Sequence, residues 1–358
     1  MHETSPTRQT AADAPTVHAP DLRSLPPVKP SIATQSSDSP DVSVIAVNWN
    51  CASLLTHCLR SVDRELASLN GECIVVDNAS SPDDLALLRA RCKRYALIAN
   101  AENRGFASAV NQGLERSRGR YVMLLNPDAF LGRGSLRHLV EYLDGHPKVA
   151  VVGPRILDPD GAVQGSARSF PGALTALAGR TAFLTRRFPR NALSVRQIPA
   201  LACDRDGPIS VDWVSGACLL ARRRALEQIG HLDDRFFMFW EDADVCWRLR
   251  KRGWQVMYDP RARVVHLVGA STRFAPVRAA VEFHRSAFRL YRKHVTGSAW
   301  HPFTTVAAAG LLTRGSLVAI ARLWSSWRPA GDLGLTAPSQ RDPGSPARGA
   351  RRPTSSPP

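Results

Sequence analysis

Three short, almost unbroken apolar runs constrain this chain more than any other feature: Val42-Ser-Val-Ile-Ala-Val47, Cys73-Ile-Val-Val76 and Tyr121-Val-Met-Leu-Leu125. Runs this brief and continuous belong to strands buried on both faces, as in a parallel sheet. Helical spacing fills the intervals, with Leu54, Leu55, Cys58, Leu59 and Val62 after the first run and helices expected near Asp84–Cys92 and Ala107–Arg116. A short strand is expected at Tyr95–Ala99. Strands alternating with helices predict a doubly wound α/β sheet, in which ligands bind at the carboxyl ends of the strands. Each run stops at side-chain amides or carboxylates: Asn48 and Asn50, Asp77 and Asn78, Asn126 and Asp128. One such residue is an ordinary turn former; three strands ending this way on one edge mark a candidate ligand edge.

Beyond this half the pattern loosens. Val149–Val152 reads as a strand, Asp158–Gly161 as a turn, and 165–208 as a poorly patterned stretch with an expected mobile loop near Arg180–Arg196. Strand character returns over Val211–Leu220, around the small residues Ser215-Gly216-Ala217, and again at Gln255–Tyr258 and Val264-Val265-His266. A helix is expected over Ala279–His294.

The stretch Phe236–Gly253 stands apart. Glu241, Asp242 and Asp244 follow the cluster Phe-Phe-Met-Phe-Trp, with Phe239, Ala243, Cys246 and Leu249 at helical spacing, then Arg248, Arg250, Lys251, Arg252 and Gly253. Acids first, bases last and a closing Gly describe a helix with its dipole satisfied at both ends. That accounts for Glu241 and Asp244. A carboxylate set directly behind aromatic residues would also be desolvated, and its pKa raised towards a general base's range, which singles out Asp242.

The hydrophobic share of 44% is that of a globular protein with a full core. A net charge of +16 calls for a partner of opposite sign, such as nucleic acid, anionic lipid headgroups or phosphorylated ligands. With no aromatic-interleaved basic repeat and no zinc-finger spacing, nucleic acid is not expected. The seven scattered cysteines, without a C-x-x-C, read as free buried thiols in a reducing compartment. Residues 1–40 and 329–358 are Pro/Ser-rich and expected to be disordered tails. Residues 296–328 form a basic segment bearing Trp300, Trp324 and Trp327, which either lies on a membrane surface or packs back on the domain. No leader pattern and no membrane-length apolar run is present, so a cytoplasmic location is expected, with peripheral attachment at the inner membrane face left open.

The order of motifs VSVIAVNWN, IVVDNASSPD, NRGFASAVNQG, YVMLLNPDAF, VSGACLLARR, FFMFWEDADVCWRLRKRGW and VVHLVGAST resembles the family-2 glycosyltransferases, over about residues 41–295. The branch it is most similar to includes bacterial rhamnosyltransferases of cell-surface polysaccharide synthesis. The resemblance implies a GT-A fold, a nucleotide-binding half joined to an acceptor-binding half, with a nucleotide-sugar donor and Mg2+ or Mn2+. It implies that Asn48 and Asn50 meet the nucleotide, that Asp77 with Asn78 recognises the base, and that Asn103, Arg104 and Gly105 line the pocket. Asp128, with Asn126 beside it, matches the metal-binding carboxylate, and His266 a histidine at the metal–diphosphate. Asp242 matches the catalytic base, with Glu241 beside it, and Trp240 is placed to stack on the acceptor or to fill the core. Many relatives carry Asp-x-Asp where this chain has Asn126-Pro127-Asp128, so the cation would depend more on Asp128, the donor diphosphate and His266.

The reaction implied is a single displacement. A cation offsets charge on the leaving diphosphate, and Asp242 takes the acceptor hydroxyl's proton as the anomeric centre inverts. L-rhamnose from a dTDP- or UDP-sugar is the favoured donor, and a glycan or polyprenyl-linked glycan the acceptor. Transfer of galactofuranose or another hexose, and an inactive scaffold binding nucleotide or membrane, remain as alternatives.

Overall fold

A computed structural model of the chain describes residues 39–171, 197–202, 207–269 and 274–297, with residue 305, 308–313 and 315–316 beyond them. The expected loop near Arg180–Arg196, nearly all of both expected tails and most of 296–328 lie outside the described residues.

The first apolar run forms β1 (Val42–Asn48), buried at every position. Its alternate residues serve two cores. Val42, Val44 and Ala46 face a layer formed by α1 (Ala52–Leu66), Leu88 of α2 (Pro82–Arg91) and α4 (Ser135–Gly145). Ile45 and Val47 face the other layer, with α3 (Phe106–Arg116), α5 (Arg223–Gln228), α6 (Glu241–Lys251) and Leu290 of α7 (Pro276–Tyr291). Burial on both sides is why these runs do not alternate polar and apolar residues.

β2 (Gly71–Asp77), β3 (Ala96–Ala99) and β4 (Tyr121–Leu125) complete a parallel set with β1, in the order β3-β2-β1-β4. β10 (Cys218–Arg222) then runs antiparallel between β4 and β6 (Val149–Leu157). β11 (Gln255–His266) lies parallel to β6 and antiparallel to β5 (Ala129–Leu131) and β8 (Ile209–Ser210). A separate pair, β7 (Ala167–Arg168) with β9 (Trp213–Val214), covers the acid-helix side. The expected doubly wound sheet is thus a mixed one of nine strands among the described residues.

Two expected boundaries move. The expected strand over Gln255–Tyr258 continues through His266 as β11, because a register shift between Asp259 and Arg263 accommodates Pro260 as a bulge. The last helix begins at Pro276, ends at Tyr291 and passes into a π turn over Arg292–Thr296. The basic run Arg222–Arg224, where β10 passes into α5, is accounted for by helix ends: Arg222 donates to Leu143 O at 2.7 Å, Arg224 to Pro147 O at 3.2 Å, and Arg223 to Gly119 O at 2.5 Å. These guanidinium groups meet the carbonyls at and beyond the ends of α4 and α3, where the helix dipole favours positive charge. The cleft they line with Arg120 and Glu227 lies at the amino end of β4, away from the Asn/Asp edge.

Candidate active site

Parallel register sets Asn48 opposite Asp77 and Asp77 opposite Ala99, so the polar strand ends share one edge. Asn48 Nδ2 donates to Asp77 Oδ1 at 2.8 Å and to Asp84 Oδ2 at 2.9 Å, while Ser80 Oγ donates to Asp77 Oδ1 at 2.6 Å. Asp84 in turn accepts from the Ala52 N–H at the start of α1 at 3.0 Å. Asn48 and Asp77 have no exposed surface. Where the sequence predicts contact with the nucleotide, the structure turns both side chains inward: the Asn48 Nδ2 and Asp77 bonds fasten the strand ends to α1 and α2, and among the described residues the buried Asn48 Oδ1 has no hydrogen-bond partner. Asn78, also buried, works similarly, donating to Asn103 Oδ1 at 2.9 Å and Gly105 O at 3.1 Å, and accepting from the Arg104 N–H at 3.1 Å. The surfaces left open at this edge belong to Asn50, Asn103 and Arg104. Gly105, at φ +84°, passes so close to Phe237 that a Cβ there would lie 2.5 Å from the Phe237 carbonyl oxygen.

At the end of β4, Asn126 is partly open and Asp128 is buried. The antiparallel pairing of β5 with β11 brings His266 back to this loop, with Nε2 3.2 Å from Asp128 Oδ1 and 3.5 Å from Asn126 Nδ2. The other ring nitrogen is 3.1 Å from Gln164 Oε1. Gln164 Nε2 donates to Asp158 Oδ1 at 2.7 Å and to His266 O at 2.9 Å, which leaves only its Oε1 to meet the ring. His266 must therefore donate from Nδ1, and a neutral ring presents its Nε2 lone pair towards Asp128. An outer-shell acceptor fixing the tautomer is the usual companion of a metal-ligating histidine. Among the described residues no group of three His, Cys, Asp or Glu could hold a metal ion. Asp128 and His266 supply two donors, which fits a hard cation completed by phosphate oxygens and water.

The acid helix starts two residues after Phe239, the first residue of its apolar pattern. Phe239 and Trp240 both adopt φ +68°, a left-handed backbone that bulky residues enter only under tertiary constraint, and α6 opens at Glu241. The bend delivers Asp242 to the small-residue turn before β10. Gly216 N donates to Asp242 Oδ2 at 2.8 Å, and Ala243 N to Oδ1 at 2.8 Å. The same turn accepts from the Asn126 N–H through Ala217 O at 2.9 Å, so the Asn126–Asp128 loop and Asp242 flank one turn. Burial raises the Asp242 pKa, against the two backbone N–H groups and the Arg168 charge, which lower it; the side chain still keeps a partly open face. Burial and then the Asp242 charge push Glu241 well above the carboxylate range. Trp240 packs between Trp213, at 5.8 Å between ring centroids, and Phe283, at 5.4 Å. Among the described residues the buried Trp240 Nε1 and Glu241 Oε2 have no hydrogen-bond partner.

Asp244 takes a different part. It is fully buried, accepting from Arg248 Nε at 2.8 Å and facing His294 Nε2 and Lys293 Nζ at 2.7 Å each. Burial alone would raise its pKa, but these cations hold it below the ordinary value. Sequence reasoning missed Gln164, Ser80, Asp84 and Arg168. Only Asp84 carried a signal, as an acid in the first turn of a helix.

The family model described as glycosyl transferase family 2 matches residues 43–230. An N-acetylglucosaminyl-diphospho-decaprenol L-rhamnosyltransferase of Mycobacterium tuberculosis is 32% identical over 244 residues, 63% of this chain and 78% of that protein. Agl10 of Haloferax volcanii, a low-salt glycan biosynthesis hexosyltransferase, is 26% identical over 217 residues, 59% of this chain and 62% of the relative. Among solved structures, GalNAc-T7 with UDP, GalNAc and Mn2+ aligns at a TM-score of 0.52 and 15% identity, covering 84% of this chain and 53% of that one, a likeness of GT-A fold. With the family model running from β1 through α5 and the rhamnosyltransferase relative aligned over most of its own length, the chain belongs to glycosyl transferase family 2, in its rhamnosyltransferase-like branch, and is a glycosyltransferase.

Proposed function

We propose that this enzyme moves L-rhamnose from a dTDP- or UDP-activated donor to a polyprenyl-linked glycan in cell-surface polysaccharide synthesis, with inversion at the anomeric carbon. The observation that carries the mechanism is the Gly216–Asp242 contact beside the Asn126–Asp128 loop. Asp242 takes the acceptor hydroxyl's proton as that oxygen attacks, and its raised pKa makes it a stronger base than a solvated aspartate. Asn50, Asn103 and Arg104 bind the nucleotide, while Asn48, Asp77 and Asn78 hold the loops on which they sit. Glu241 and Trp240 line the acceptor side. Asp128 and His266 would hold Mg2+ or Mn2+, which when bound offsets charge on the departing diphosphate. The similarity to the mycobacterial N-acetylglucosaminyl-diphospho-decaprenol L-rhamnosyltransferase supports the choice of rhamnose and of a lipid-linked acceptor.

Residues 41–295 form the catalytic domain in this reading, and the protein works at the cytoplasmic face of the membrane. No described helix is long and apolar enough to cross one. The test is transfer to a polyprenyl-diphosphate-linked N-acetylglucosamine from dTDP-rhamnose, UDP-rhamnose and a UDP-galactofuranose control, each with and without Mn2+. Rhamnosylated product that requires the metal is expected. Product only from the galactofuranose donor would replace the sugar assignment, and none from any donor would remove the reading.

A further inference from the structure

The exposed residues of α7 and its π turn do not have the mixed charge of an ordinary solvated helix. Phe274, Arg278, Val281, Arg285, Arg292 and Val295 are all exposed, and no carboxylate is exposed anywhere over 274–297. At about 100° per residue, Arg278, Val281 and Arg285 return to one stripe of α7, with Phe274 just before the helix and Arg292 and Val295 in the π turn after it. Phe274, Val281 and Val295 remain 48%, 49% and 48% exposed, among the few large apolar side chains left so open among the described residues. The one acid within 274–297, Glu282, is buried and paired with Arg285 at 3.7 Å, while Asp233 and Asp244 from other elements are paired with Lys293.

The opposite side of the same helix builds the wall of the candidate active site. Phe283 packs on Trp240, and Ser286 Oγ donates to Met238 O at 3.0 Å, fixing the loop that carries Asp242. Phe274 meets Trp49, next to Asn48, edge-on at 6.3 Å. Later chain does not lie over the stripe where it is described: Gly315 sits against His284, on the flank, and Val281 stays open.

We propose that this outward face of α7 docks the enzyme on an anionic lipid bilayer. Arginines interleaved with apolar side chains and free of acids complement a negatively charged headgroup layer, and the apolar members enter the acyl boundary. The orientation would present the site wall, carried on the helix's other side, towards a lipid-linked acceptor. It draws on the proposed acceptor class for that orientation only, and the docking itself is tested without any acceptor.

The full chain would be co-sedimented with phosphatidylcholine vesicles, with and without phosphatidylglycerol, at low and high salt. Binding to the anionic vesicles alone, weakened by salt, is expected. The variant V281S/R285Q/R292Q should partition about tenfold less or worse, at roughly a factor of several per lost arginine. R285K/R292K should bind as the parent does. Thermal stabilisation by dTDP or UDP should be equal in all three proteins, which separates loss of docking from loss of the fold or of the nucleotide site. A parent that ignores anionic vesicles, or a triple variant that partitions like the parent, overturns the proposal.

Discussion

Gly216 gives its backbone N–H to Asp242 Oδ2 at 2.8 Å, and the turn that carries it also anchors Asn126. Asp242 and the Asn126–Asp128 loop are thereby positioned by main-chain atoms that no side-chain substitution removes. Asp242→Asn keeps the shape and removes the carboxylate proposed to accept the proton. Transfer should fall by about 10²–10⁴ while nucleotide binding and Tm persist. Retention of a tenth of parental kcat would assign the base elsewhere.

The two glycines nearest the acid loop should respond oppositely to alanine. A methyl at 216 meets Asp242 at an ordinary 3.4 Å, so Gly216→Ala should change stability by no more than about 0.5 kcal/mol. At 105 it meets the Phe237 carbonyl oxygen at 2.5 Å on a φ of +84°, and Gly105→Ala should cost about 1–3 kcal/mol or more. Denaturant unfolding of the pair is the measurement; equal midpoints would contradict the packing described.

The pH dependence has a definite sign. Burial raises the Asp242 pKa, and transfer needs the carboxylate, so kcat should climb through an acidic limb displaced upward from that of an ordinary aspartate. A limb at or below the ordinary aspartate value in the kcat profile would contradict the desolvated environment.

Stability follows Asp244 in the other direction. Its folded pKa is lowered, so its contribution is present above the unfolded value and is lost as pH falls through the folded one. Asp244→Asn strips Arg248, Lys293 and His294 of their shared partner and should cost about 3–5 kcal/mol at neutral pH. The variant's melting temperature should also fall less than the parent's as pH drops below about 4.

Gln164→Leu keeps the volume but leaves His266 Nδ1 without its acceptor. Mn2+ affinity in the presence of a nucleoside diphosphate should weaken about 10–100-fold, measured by calorimetry. Unchanged affinity would separate His266 from the cation.

What the chain discloses in advance is what depends on neighbours in sequence. Val42–Asn48 reads as a doubly buried strand because both of its faces are apolar, and the Asn and Asp residues closing successive runs reveal one edge. The acids and bases of α6 declare a helix, although its start is displaced to Glu241 by the Phe239–Trp240 bend. Contacts across long separations left no trace. Gln164 reaches His266 over 102 residues, and nothing around it marks the side chain as more than part of a loop. Asn48 and Asp77 could be placed at the edge, but only the pairing of Asn48 with Asp84 shows them turned inward. The continuation of the Gln255–Tyr258 strand through Pro260 was hidden because a bulge depends on the partner's register, which a single chain does not display.

The consecutive left-handed residues Phe239 and Trp240 have a bearing on how the enzyme matures. Neither side chain favours that backbone by itself, so the bend persists only once α3 has closed against Phe237 and α7 against Trp240. Partly assembled chains, during synthesis or after local opening, would leave the acid out of register with its turn. The placing of Asp242 is therefore contingent on packing from two helices far from it in sequence.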